Sequence, residues 1–89
     1  QLAIGKPAQG AIIFPNPTQS ILFYQSNDST EAKWQVQVLD ALGHKLIEKA
    51  WINYSGALQS LNVAALPVGV YFLRVLKPGQ IQHFRFVKM

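Results

Sequence analysis

The chain has 89 residues and no cysteine, so disulfides, thiol nucleophiles, cysteine-based zinc sites and iron–sulfur ligation are all excluded. Acidic residues are also few, four against eight Lys and Arg. None follows Glu48. Charged residues make up only 13 % of the chain, about half the usual share for a globular domain. No apolar run approaches the roughly 18 residues of a membrane-spanning helix, and the opening Gln1-Leu2-Ala3-Ile4-Gly5-Lys6 has no signal-peptide pattern. The chain begins with Gln rather than Met, which points to a piece of a longer protein. What is abundant is apolar: 49 % hydrophobic content is that of a folded chain.

Charge is unevenly placed. Residues 1–48 sum to −1, whereas Lys49, Arg74, Lys77, Arg85 and Lys88 give the remainder +5. No two of those basic residues are adjacent, unlike the runs and stripes of nucleic-acid binders. A solvated β surface accounts for them, and no nucleic-acid partner is expected.

Helical periodicity is scarce. Short alternating segments recur instead every 8 to 12 residues or so, separated by turn residues, which is the signature of a sandwich or barrel. The small and polar stretch 1–10, with Gly5, Pro7 and Gly10, reads as a linker from an upstream domain, and residues 11–89 as one folded domain. Strands are predicted at Ala11 to Phe14, Ser20 to Gln25, Lys33 to Leu39, Lys45 to Trp51, Ala57 to Val63, Val70 to Leu76 and Ile81 to Lys88. The fold class is therefore all-β, an antiparallel seven-stranded Ig-like β-sandwich.

Two hairpins can be registered by counting. Trp34, Val36 and Val38 alternate with Gln35 and Gln37, so the apolar set faces a core. Asp40-Ala41-Leu42-Gly43 suits a type I turn followed by a Gly at positive φ, a three-residue hairpin with a bulge. That register pairs Asp40 with His44, Val38 with Leu46 and Val36 with Glu48. A charge opposite a core valine requires a rim or a sheet edge. In the last hairpin, Lys77-Pro78-Gly79-Gln80 is read as a four-residue loop that sets Leu76 against Ile81. Leu73 then faces Phe84 and Tyr71 faces Phe86 inward, with Arg74–His83 and Phe72–Arg85 outward. Ile21, Phe23, Ile47, Trp51, Phe72 and Ile81 fall on outward positions and would form a contact patch if several share one sheet.

Three stretches in order carry a resemblance: Phe14-Pro15-Asn16-Pro17-Thr18, then Val38-Leu39-Asp40-Ala41-Leu42-Gly43-His44-Lys45-Leu46, then Leu66-Pro67-Val68-Gly69-Val70-Tyr71-Phe72-Leu73-Arg74-Val75 with Phe84-Arg85-Phe86-Val87-Lys88. From about Ile12 to its end the chain resembles the C-terminal sorting domain of type IX secretion cargo. His44 stands where that family has Arg or Lys, and Met89 follows the final Lys. The resemblance implies a sorting module at the C-terminus of a larger Gram-negative protein. Such a cargo enters the periplasm by a signal peptide, crosses the outer membrane and ends secreted or on the cell surface. In many members a sortase-like peptidase removes the module. The partners implied are the outer-membrane secretion machinery, that peptidase and the upstream cargo domain.

Taken singly, the motif residues have structural roles: Pro15 and Pro17 end a strand, Asn16, Asp40 and Gly43 shape turns, Leu66 and Tyr71 fill core, and Pro67 and Gly69 lead into a strand. Recognition would fall to the basic last hairpin, with Lys77, Arg85 and Lys88 as contact residues and Arg74 next. Arg85 stacked on Phe72 is the bland alternative. No catalytic residue, metal site or cofactor is expected. His44 and His83 lack any motif linking them to an acid or a serine, and Asp28 with Glu31 offers too few oxygens for a calcium loop. Two other classes compete: an adhesion or carbohydrate-binding sandwich using Trp51, Tyr54 or Phe72 as a platform, and a five-stranded barrel for single-stranded nucleic acid. Short strands also leave edges for a homodimer or strand swap.

Overall fold

A computed structural model describes residues 10–27, 31–54 and 58–89. Seven strands follow in order: β1 (Ala11–Phe14), β2 (Ile21–Ser26), β3 (Ala32–Leu39), β4 (Lys45–Asn53), β5 (Gln59–Asn62), β6 (Gly69–Lys77) and β7 (Gln80–Lys88). They form two antiparallel sheets, β1-β2-β5 and β4-β3-β6-β7, stacked as a sandwich. Relative to an immunoglobulin constant domain, the fourth strand has moved to the sheet of the third, sixth and seventh. That placement makes β4 an edge.

The core is the inward half of each strand. Leu22 and Tyr24 of β2 and Leu61 of β5 meet Trp34, Val36 and Val38 of β3, Leu73 and Val75 of β6, and Phe86 of β7. Tyr24 is the hub: its ring lies 5.9 Å from Trp34, 5.4 Å from Trp51 and 5.8 Å from Phe84. Aromatic pairs in these tilted and edge-on geometries add to burial.

The β6–β7 register is the one counted from the sequence, including Tyr71 against Phe86 and Leu73 against Phe84. Its loop is shorter than anticipated, because Lys77 and Gln80 also pair and only Pro78 and Gly79 remain between the strands. Gly79 takes φ +74°, as the second central residue of a Pro-Gly turn requires.

The β3–β4 register differs. The turn forms as anticipated, with Gly43 at φ +89° and the Asp40 amide donating to the His44 carbonyl at 3.0 Å. A further bulge then sits at Leu46: Leu39 pairs with Lys45, but Val38 pairs with Ile47 rather than Leu46. One extra residue reverses every later side chain. Glu48 therefore lies opposite Gln37 on the outer face, and Lys49, not Glu48, faces the core valine Val36. The charge at that position does stand on an edge strand, where Lys49 remains exposed. The same reversal turns Ile47 and Trp51 inward, with Trp51 only 3 % exposed and its Nε1–H donating to the Ser60 carbonyl at 3.0 Å.

Candidate functional site

The first and last motif-bearing segments meet at the β7 edge of the sandwich. β1 stops at Phe14 because Pro15 and Pro17, on either side of Asn16, remove two of the next three backbone donors. The chain then crosses from the smaller sheet to the free edge of β7. There the Asn16 side chain acts as a surrogate strand: its Nδ2 donates to the Arg85 carbonyl at 3.1 Å, and its Oδ1 accepts from the Val87 amide at 2.9 Å. Thr18 continues the pairing, its amide donating to the Val87 carbonyl and its carbonyl accepting from the Met89 amide, both at 2.9 Å. Thr18 itself is buried and its hydroxyl donates to the Ile21 carbonyl at 2.7 Å. The Pro-Asn-Pro-Thr segment thus clasps the C-terminal strand, joining the first and last motifs. A shallow groove of about 450 Å³, lined by Pro15, Pro17, Ile21, Phe23 and Met89 among others, opens beside the clasp.

The third motif is fixed from below. Leu66 packs against the core, and the Tyr71 hydroxyl donates back to the Pro67 carbonyl at 2.7 Å, tying the loop before β6 to the strand. Tyr71 stacks on Phe86 at 5.8 Å. Gly69 lies beside the Tyr71 ring, but an added Cβ would meet that ring at an ordinary 3.7 Å. A tight approach does not explain that glycine.

The basic residues are dispersed over four environments. Arg85 is exposed, on the outer face of β7. Lys77 is half-buried, its Nζ 4.2 Å from the Trp34 ring centroid and 5.6 Å from that of Tyr24. Cation–π contact among the described residues belongs to Lys77, not to an Arg85–Phe72 pair. Arg74 is half-buried and donates to Gln37 Oε1 at 3.2 Å. Lys88 is only 6 % exposed, with its Nζ on the Met89 carbonyl at 2.9 Å, which corrects the expectation of an outward contact residue. Its side chain points inward because the counted alternation of β7 puts residues 82, 84, 86 and 88 on one face.

The middle motif builds a polar outer surface. Asp40 Oδ1 accepts from the Leu42 and His44 amides, both at 2.9 Å, and Oδ2 meets His44 Nδ1 at 3.1 Å. The His44 amide bond, then the Leu42 amide and the imidazole, hold the Asp40 carboxyl below its ordinary value. Glu48 is also lowered, chiefly by the Lys45 ammonium at 3.0 Å and then by Gln37, with Gln35 bonded as well. Both groups bind protons more weakly folded than unfolded, so the stability they add is complete above the unfolded carboxylate range near about pH 4. It is lost as pH falls through their lowered folded values. Acidification below about pH 4 is therefore expected to lower the exchange protection of the Leu42 and His44 amides, relative to their intrinsic rates at each pH, before that of the β6–β7 amides. Asp40→Asn is expected to flatten that pH dependence, and an unchanged profile would contradict the assignment.

Of the six apolar residues expected outward, only Phe72 and Ile81 are exposed on the larger sheet; Ile47 and Trp51 turn inward, and Ile21 and Phe23 are half-buried on β2 of the smaller sheet. Leu46, Ile52 and Val70 are exposed on the larger sheet instead. A carbohydrate platform is poorly served, since Trp51 is buried in the core. No group of three metal-ligating side chains occurs among the described residues, and Asp28 lies outside them. No helix among the described residues is long and apolar enough to cross a membrane.

The sandwich, its clasped last strand and its motif order define an all-β domain of two antiparallel sheets closed at its last strand. The secretion system C-terminal sorting domain family matches residues 12–88, and the chain belongs to that family. It is thus a type IX sorting signal, which implies contact with that secretion machinery and passage of its carrier across the outer membrane to the surface or beyond. No curated protein matches the chain.

Proposed function

We propose that residues 11–89 are the sorting module at the C-terminus of a larger cargo protein, with residues 1–10 as its linker. The cargo enters the periplasm by a signal peptide. The module then presents it to the outer-membrane machinery and is removed there by a sortase-like peptidase. The observation that carries this reading is the clasp: Asn16 and Thr18 bind the C-terminal strand along its free edge, so that the first and last motifs form one continuous surface. Arg85 is the leading contact residue because it is exposed beside the clasp, with Arg74 half-buried on the same outer face; Lys77, expected beside them, is instead turned inward onto Trp34. Lys88 is assigned to holding the C-terminal end through Met89.

In the full-length cargo, deletion of Gln80–Met89 is expected to abolish appearance outside the cell and leave the cargo in the periplasmic fraction. Arg85→Glu is expected to reduce export with little loss of stability, since exposed substitutions change stability by about 0.5 kcal/mol or less. Normal export after the deletion would overturn the sorting reading. Normal export of a folded Arg85→Glu variant would remove Arg85 from the contact set. Module removal predicts a size difference between the periplasmic and exported cargo, and equal sizes would contradict it.

A further inference from the structure

The sandwich has four strand edges, and they are not equivalent. Along β7 the Arg85 carbonyl, both backbone groups of Val87 and the Met89 amide are engaged by Asn16 and Thr18. β1 and β5 have four residues each, and the Ser60 carbonyl of β5 is taken by Trp51. β4 has nine residues, and no described strand lies beyond it. The Ile52 carbonyl accepts from Gln59 Nε2 at 2.9 Å, on the side away from β3. Antiparallel alternation then directs the backbone of Ala50 and Glu48 to that same open side.

The side chains around this edge have a definite chemistry. On the inner side of β4, the exposed Lys49 interrupts the row between Ile47 and Trp51. On the outer side, Ala50 is a small floor between Glu48 and Ile52, within an open groove of about 550 Å³ that Lys33, Gln35, Glu48 and Lys49 also line. Glu48 is committed to Lys45 and the two glutamines, so the uncommitted charge of the groove, from Lys33 and Lys49, is positive. We propose that β4 is a strand-addition site, where Glu48 and Ala50 offer backbone hydrogen bonds to an extended partner segment that alternates acidic residues toward Lys49 with apolar residues over Ala50.

A second copy is the competing occupant. Antiparallel self-pairing centred on Glu48 opposes two glutamates, and centring on Lys49 opposes two lysines, each destabilising across a strand pair. Centring on Ala50 sets Lys49 against Trp51 and Glu48 against Ile52, which leaves both charges without a cross-strand partner. Lys49 therefore favours an acidic strand over a second copy. The proposal goes beyond the sorting assignment, and its test needs no secretion assay.

The 89-residue chain, labelled with ¹⁵N, is titrated with a blocked seven-residue peptide alternating Val and Glu, and with its Lys-for-Glu counterpart. With the acidic peptide, the Glu48 and Ala50 amides are expected to shift and to exchange more slowly, with β7 unaffected. Lys49→Glu is expected to weaken binding by about tenfold and to reverse the preference between the two peptides. Ala50→Pro removes only an outward donor, which an edge strand tolerates, and is expected to abolish binding. If Ala50→Pro fails to fold, Lys49→Glu still decides the matter. No amide shift at about 2 mM peptide, shifts along another edge, or equal binding of both peptides would overturn the proposal.

Discussion

Phe86→Ala is expected to lower the unfolding free energy by about 3 to 5 kcal/mol, the cost of removing a fully enclosed aromatic side chain. Phe86 is 0 % exposed and stacks on Tyr71, which in turn holds the loop before β6 through Pro67. A domain of this size has a total stability of only about 4 to 13 kcal/mol, so the substitution takes a large part of it. Urea denaturation followed by fluorescence of the two buried tryptophans, Trp34 and Trp51, measures the change. Export of the cargo should fall with it, although no surface residue is altered. A loss below about 1 kcal/mol would mean that the β6–β7 hairpin does not depend on its inner face.

Tyr24→Phe is expected to cost about 1 to 3 kcal/mol while removing a single oxygen. The Tyr24 hydroxyl donates to Gln82 Oε1 at 2.5 Å across the sandwich, and both residues are 1 % exposed. The substitution removes a donor from a hydrogen-bonded pair that is almost wholly buried, where polar groups depend on protein partners. The matched control is Tyr71→Phe, whose hydroxyl bond to Pro67 is only partly buried. A smaller loss is expected there. Equal losses in the two variants would show that burial of the Tyr24–Gln82 pair is not what sets the cost.

The last hairpin was readable because both of its strands alternate without interruption and one face is buried, so a single register satisfies the core. The middle hairpin was readable only as far as its turn. Its bulge at Leu46 has no local signature, since Leu46 and Ile47 are both apolar and either satisfies a hydrophobic pattern. The choice is made by Trp51, which reaches the core and the Ser60 carbonyl only in the bulged register. Lys88 shows a different limit. Parity assigns it to the inner face, but long-chain lysine reads by type as a surface residue, and its burial depends on the clasp and Met89 covering it.

Asn16 read as turn chemistry because its partners, Arg85 and Val87, are about 70 residues away in sequence. No local pattern reports a contact of that range. Alternation and turn residues, which are short-range properties of the chain, were enough to determine the fold class, most strand positions and the resemblance to a sorting domain. Which edge is clasped and which strand lies outermost was decided by tertiary structure alone, because it depends on where β1 delivers Asn16 and on which sheet receives β4. Those are matters of packing between distant segments, and they place the clasp on β7 and leave β4 with no described strand beyond it.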